Sequence, residues 1–388
     1  MLACKTTYDI DGLANHEFIV IGSEHYNPLG VIRSLGEAGI APIAVIRRGE
    51  YGFASVSKYI KRLFLIDDYE ESLDIVKKYG STDCKPIVIP CDDVITLICD
   101  REYTWLRDIC IVSNAGESGK LAFYGQKKNQ IQLATKVGLN VAKTWDPLGT
   151  VPEDIEYPVI TKPTYSYDDW KQDYYVCNNE QELLDAYKKV KGEVFLQQYI
   201  RKDTEICFDG VVVDHGNSML AAIQSTYTYA LPDYYSSEMI VSSPEDPELE
   251  SLLNRMFQII GYEGIFEAEF MRDTEGKLWF LEINFRNSTW SYASTKLGMN
   301  LPVLFAEGSL ADDGLPKDAR KPVPEGYIAN AELMDFLHRV LKYKMISPLE
   351  WLKRVLRADC HYFYNSQDKK PFFSICVYQV KKIVSRHS

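Results

Sequence analysis

The run from Phe18 to Ile46 constrains the fold more than any other part of the sequence. An apolar strand, Phe18-Ile19-Val20-Ile21-Gly22, is followed by a polar turn from Ser23 to Asn27. A helix-like stretch from Pro28 to Ala38 and a second strand from Ala41 to Ile46 come next. Strand, helix, strand is a βαβ unit, which predicts a parallel sheet with ligands outside the carboxyl ends of its strands. A later strand, Lys85 to Pro90, ends in Cys91-Asp92-Asp93. Residues 23 to 27 and 91 to 93 are therefore expected along one rim, with His25, Asn27, Asp92 and Asp93 as candidate substrate contacts. The same residue types also serve as ordinary turn and cap residues. There is no Gly-x-Gly-x-x-Gly, and sheets of this kind serve many functions, so the rim alone names no ligand.

The remaining chain changes character near residue 125. Gln126 to Val137 reads as a helix stopped by Gly138, and Asn140 to Trp145 as a return strand, before Pro147, Gly149 and Pro152 mark a connection. An α+β stretch follows, with strands at Val159 to Lys162, Tyr174 to Cys177 and Val194 to Gln197, and a helix from Glu180 to Val190. Strands near Glu205 to Val213 and Met219 to Thr226, a helix from Pro247 to Ile260 and a hairpin from Gly264 to Phe285 complete the pattern. A chain of 388 residues exceeds one ordinary core. The expected division is 1–120, 121–200, 201–325 and a C-terminal extension, 326–388.

Charge and cysteine content narrow the function classes. A net charge of −12 disfavours a broad nucleic-acid groove, because phosphate backbones are held mainly by Lys and Arg. From Arg339 to Ser388, however, eleven Lys and Arg stand against three Asp and Glu. This basic tail suits either peripheral contact with an anionic surface or simple complementarity to the acidic body. Nine cysteines with no Cys-x-x-Cys read as free thiols, and no zinc site is expected. The start lacks the basic-then-apolar order of a secretion signal and no apolar run is long enough to cross a bilayer, so the expected compartment is the cytoplasm.

The hairpin carries the chemistry. Gly264-Ile-Phe-Glu-Ala-Glu-Phe270 and Lys277-Leu-Trp-Phe-Leu-Glu-Ile-Asn284 are rich in β-formers, and Asp273 to Gly276 supplies turn chemistry. If those four residues form the loop, Arg272 pairs with Lys277 and Glu269 lies opposite Phe280. Glu269 is then a diagonal neighbour of Glu282 on one face, with Asn284 beyond it. Phe266, Ala268, Phe270, Trp279, Leu281 and Ile283 would form the apolar face. Gathered carboxylates repel unless a cation neutralises them, and an oxygen-only set suits Mg²⁺. The plainer reading is an exposed hairpin with solvated acids, and a one-residue slip would break the geometry.

On these residues the chain resembles the ATP-grasp ligases over about residues 15 to 310. Gly264-x4-Glu269-Phe270 followed by Glu282-Ile283-Asn284-x-Arg286 looks like the family's metal-binding signature, and Asn300-Leu301-Pro302 resembles its continuation. Lys127-Lys128-Asn129 before Val137-Gly138 resembles the helix with the first ATP-contacting lysine, assigned to Lys128, although sequence does not separate it from Lys127. Tyr157 to Pro163 resembles the strand bringing Lys162 to the phosphates. Gln197-Gln198-Tyr199-Ile200 resembles the adenine-binding hinge, and Glu205 stands in the place of the ribose acid.

The resemblance implies an α/β and α+β ATP-grasp fold behind an N-terminal Rossmann-like domain. It also implies ATP as substrate and two Mg²⁺, with Mn²⁺ able to substitute, on Glu269, Glu282 and Asn284. Lys162 and Arg286 would be catalytic, Arg286 holding either the transferred phosphoryl group or a substrate carboxylate, unless it only pairs with a neighbouring acid. The loop after Pro163 departs from the family by lacking glycine, leaving Ser166 and Lys171 as its candidate phosphate donors. The implied reaction joins a small-molecule carboxylate to an amine through an acyl phosphate, with an amino acid or amino-acid-like compound as the expected substrate. Phosphoryl transfer without ligation, a bicarbonate-dependent carboxylation or carbamoyl-phosphate role, and a non-catalytic nucleotide-binding regulator are the rivals. A homodimer is compatible with all of these. Glu350-Trp351 and His361 to Phe372 resemble the ending of bacterial relatives of the carbamoyl-phosphate synthase large subunit, and the segment is expected to clasp the terminal helix onto the body.

Overall fold

The computed structural model describes residues 10–145, 150–163, 173–231 and 235–385. The first sheet is wholly parallel, in the order β3-β2-β1-β4-β5, from β1 Phe18–Ser23, β2 Ile43–Arg47, β3 Arg62–Ile66, β4 Ile87–Pro90 and β5 Ile111–Val112. Ile19, Val20 and Ile21 are fully buried, as expected of a central strand covered on both faces. A small antiparallel sheet, in the order β6-β9-β7-β8, holds β6 Thr144–Trp145, β7 Val159–Pro163, β8 Val176–Cys177 and β9 Val194–Gln198. The third sheet has seven strands, in the order β14-β13-β10-β11-β12-β15-β16. Its members are β10 Lys202–Val213, β11 Ser218–Tyr227, β12 Glu238–Ser242, β13 Gly264–Asp273, β14 Leu278–Asn284, β15 Tyr327–Asn330 and β16 Cys360–His361.

Helix Tyr26–Glu37 joins the first sheet to the body. Ten of its twelve residues are buried, because it packs on β1 and also on helices Tyr292–Lys296 and Leu301–Leu310. Its Arg33 is completely buried. The guanidinium donates to Asp368 Oδ2 at 3.1 Å and to the carbonyls of Tyr362, Phe363 and Asp368 at 2.8, 3.1 and 3.1 Å. A buried charge is tolerable only when paired and hydrogen-bonded in this way. Tyr362 and Phe363 sit in one core with Tyr26, Phe53 and Trp290, so the segment 362–368 fastens the C-terminal end of the chain to the first lobe, the parallel sheet with its flanking helices. No helix among the described residues is long and apolar enough to cross a membrane.

Candidate active site

The carboxylate face forms where β13 pairs with β14. Glu269 lies directly opposite Glu282 and Glu267 opposite Asn284, whereas Phe270 pairs with Phe280 and Arg272 with Leu278. Leu281 is thus the extra residue of a β-bulge, and this is where the structure departs from the expected hairpin. Strict alternation would have put the Phe280 ring among the acids. The bulge resets the alternation, so Phe280 joins Phe266, Ala268, Phe270 and Ile283 in the core, a burial that contributes about 2 kcal/mol. Trp279 and Leu281 pack instead with Ala142, Ile200 and Met271. The loop also differs by one place: Asp273 N donates to Lys277 O at 3.0 Å, closing the turn around Thr274 to Gly276.

Helix Lys127–Val137 lies against β14 and supplies the first cation. Gln130 is buried and clamps the strand, donating to Ile283 O at 2.9 Å and accepting from Ile283 N at 2.6 Å. Lys127 stands three residues earlier, on the same helix face, and its Nζ lies 3.5 Å from Glu282 Oε2. Lys128 is turned to the exposed side. Lys127 is thus the lysine of this pair seen against a carboxylate of the hairpin, while Lys128, the expected ATP contact, lies on the exposed side of the same helix. Lys162, on β7, is half-buried, and its ammonium is pushed down to about 8 by burial and by the like charge of Lys127, against the pull of Glu282.

Asn284 Nδ2 donates to Glu267 at 3.0 Å and to Glu269 at 2.8 Å, bridging two acids. Burial, then Glu267 and Glu282, push the Glu269 carboxyl well above the usual range. Among the described residues no three His, Cys, Asp or Glu side chains are already gathered as a cage. The set is two opposed carboxylates and an amide, all oxygen-bearing, under a repulsion that a divalent cation would relieve. Its chemistry fits Mg²⁺.

Arg286 follows at the end of β14. Its Nε and Nη2 meet Asp93 Oδ1 and Oδ2 at 2.8 and 3.3 Å, a fork reaching into the first lobe. Asp93, Glu267 and Glu269 hold it firmly charged despite its burial. The other rim residues are otherwise engaged. Asp92 caps helix Asp93–Arg101, accepting from Ile95 N at 3.2 Å and from the Tyr69 hydroxyl. His25 caps helix Tyr26–Glu37, accepting from Asn27 N at 3.2 Å. Burial and then Arg286 push its imidazole down to about 4. Asn27 is buried; its Oδ1 accepts from Asn287 Nδ2 at 2.6 Å and its Nδ2 donates to Asn287 O at 2.8 Å and to Cys91 O at 2.7 Å, latching the segment after β14 to the rim of the first sheet.

Gln197 and Gln198 end β9, and Tyr199 and Ile200 lead from it into β10. Gln198 N donates to Lys143 O at 2.8 Å and Tyr199 N to Pro158 O at 2.9 Å, so this connection is braced by the small sheet. Glu205 is paired with Lys202 and lines a cavity of about 250 Å³ with Tyr227, Tyr229, Tyr235 and Arg272. Ser166 and Lys171 lie outside the described residues.

Two further acids join the site. Glu267 shares the strand parity of Glu269, a signal present in the sequence. Asp209 pairs with Glu267 across β10 and β13 and is fully buried. Its Oδ1 accepts from Ser288 and, at 2.8 Å, from Ser291, while Oδ2 has no partner among the described residues. Burial and Glu267 push it up to about 8.

No protein-family model matches the sequence, and comparison with curated proteins gives no significant match. Solved structures do. An N5-carboxyaminoimidazole synthetase from Staphylococcus aureus superposes with TM-score 0.60 at 15% identity, covering 88% of each chain. An L-amino acid ligase from Bacillus licheniformis gives 0.58 at 14% identity, covering 81% of this chain and 78% of that one. The biotin carboxylase domain of a Hydrogenobacter thermophilus 2-oxoglutarate carboxylase, solved with MgADP and bicarbonate, gives 0.58 at 18% identity, covering 78% and 72%. The chain has the ATP-grasp fold.

Proposed function

We propose that the protein is a Mg-ATP-dependent carboxylate–amine ligase. The observation that carries this reading is the convergence of opposed Glu269 and Glu282, Asn284, Lys127, Lys162 and Arg286 on one face of an ATP-grasp sheet. Glu269, Glu282 and Asn284 would hold Mg²⁺, which supplies positive charge to the phosphates of ATP. Lys127 and Lys162 act as point charges on the same phosphates. Residues 197–200 take the adenine and Glu205 the ribose, which the cavity beside Glu205 supports. Arg286 orients a substrate carboxylate: its fork already grips the carboxylate of Asp93, and a substrate acid offers the same two oxygens. That acid attacks the γ-phosphorus of ATP, ADP leaves, and an acyl phosphate forms. An amine then adds to the acyl carbon and inorganic phosphate departs, leaving an amide. No covalent enzyme nucleophile is needed, since positioning and electrostatics supply the rate.

The test is ADP release across a panel of paired carboxylic acids and amines, with D- and L-amino acids, comparing wild type with Glu282→Gln. A pair that drives ADP release in wild type and not in the variant supports the ligase. ADP release without an amine points to simple phosphoryl transfer. Silence across the panel despite ATP binding overturns the ligase in favour of a nucleotide-binding regulator. The likeness to a biotin carboxylase and an N5-carboxyaminoimidazole synthetase favours one second reading, carboxylation, for which ADP release requires bicarbonate.

A further inference from the structure

Helix Pro348–Arg357 is amphipathic, yet its apolar stripe faces outward. Leu349, Leu352 and Leu356 recur at helical spacing and are 64%, 44% and 76% exposed. The opposite edge is anchored. Trp351 packs on Phe336 with ring centroids 4.7 Å apart, and Arg354 Nη1 donates to the buried Glu238 at 3.0 Å. The helix is thus held so that its leucines point away from the core. The segment before it adds exposed Leu341 and Met345. Exposed Lys342, Lys344, Lys353 and Arg357 surround these side chains, and Glu350, itself 3.5 Å from Arg354, is the sole acid between Phe336 and Ala358.

We infer that residues 341–357 form a membrane-surface docking site, laying Leu349, Leu352 and Leu356 into an anionic lipid interface. A leucine stripe flanked by Lys and Arg is the pattern of helices that lie in the interfacial plane, and basic residues near it are drawn by anionic headgroups. A protein partner fits less well, because the cores of protein interfaces are depleted in lysine. A second copy is also a poor occupant, since one ten-residue helix offers far less surface than a stable dimer buries. Charge gives the lipid reading its direction: a chain of net charge −12 would be repelled by an anionic surface unless it approached through a basic patch such as this one. The helix is too short to span a bilayer, so the association is peripheral and reversible.

The test is co-sedimentation of the full-length protein with vesicles of phosphatidylcholine alone and of phosphatidylcholine mixed with phosphatidylserine, at low and high salt. Wild type sediments with the phosphatidylserine vesicles, and high salt releases it. Lys353→Gln and Arg357→Gln each weaken the partition about fivefold. The triple variant Leu349→Ser, Leu352→Ser, Leu356→Ser abolishes it with an unchanged melting temperature. If the triple variant melts early, the two charge variants, on exposed side chains, decide alone. Equal sedimentation of the variants and wild type overturns the inference. So does failure to bind either vesicle, or self-association in light scattering that the triple variant removes, which would assign the face to a second copy.

Discussion

Replacing Lys127 with methionine is expected to weaken Mg-ATP binding far more than the same change at Lys128. Lys127 is about a quarter exposed, and its ammonium lies 3.5 Å from Glu282, inside the carboxylate face. A charge-assisted hydrogen bond to phosphate from such a position contributes about 1.5 to 3 kcal/mol. Part of this is offset because Lys127 already gains up to about 1 kcal/mol from Glu282 in the free protein. The net loss of about 1 to 2 kcal/mol corresponds to roughly five- to thirtyfold in Kd. Lys128 is on the exposed side of the same helix, where water and salt reduce its share to a few tenths of a kcal/mol, less than about twofold. Calorimetric titration of Mg-ATP into wild type and both variants reads the difference, with melting temperatures as the control for folding. A larger loss at Lys128 than at Lys127, or equal losses, would refute the placement of the helix against β14.

Lys162 gives a pH prediction. Its folded-state ammonium titrates near 8 instead of 10.5, so it is charged below that pH and mostly neutral above it. Bound phosphates favour the charged form and raise the value again. Mg-ATP binding between pH 8 and the raised value should therefore take up a proton, and affinity should fall as pH rises through that window. Titration in buffers of different ionisation enthalpy measures the uptake, and none at pH 9 would contradict it. Asp368→Asn, which strips the fully buried Arg33 of its partner charge, should cost about 3 to 5 kcal/mol in urea unfolding. A loss under 1 kcal/mol would show that the carbonyl bonds alone hold the C-terminal clasp.

Much of this site can be read from the sequence, and the parts that cannot have identifiable causes. The apolar run Phe18 to Gly22 and its following helix announced the parallel sheet, because a strand buried on both faces admits almost no polar residue. The acids of the hairpin were legible because alternation puts Glu267, Glu269 and Asn284 on defined faces. The bulge at Leu281 was not, since nothing local distinguishes an extra residue from a shifted turn. It takes the burial of Phe280 against the opposing helices to decide the register. Lys127 could have been separated from Lys128: Gln130, Leu133, Ala134 and Val137 share one helix face, and that face extends back to Lys127. Asp209 was out of reach, because it joins the site only through pairing of β10 with β13, strands separated by some fifty residues of chain. The rim was expected to meet a substrate, but cap geometry at His25 and Asp92 and the Asn27 latch give three of its four candidates structural work. Asp93 meets Arg286 directly, while His25 feels the charge of Arg286 and Asn27 holds the neighbouring Asn287.

The central claim is that the face formed by Glu269, Glu282 and Asn284 exists to hold a cation with its nucleotide. Its most direct measurement is the ATP dissociation constant with Mg²⁺ and with EDTA, for wild type and for Glu269→Gln, Glu282→Gln together. Wild type should bind much more tightly with Mg²⁺. The double variant should lose that dependence while keeping its fold, since relief of the repulsion between the two carboxylates offsets the loss of the Lys127–Glu282 pair. A double variant that keeps the full Mg²⁺ dependence of wild type, or a wild type that shows none, would contradict the account.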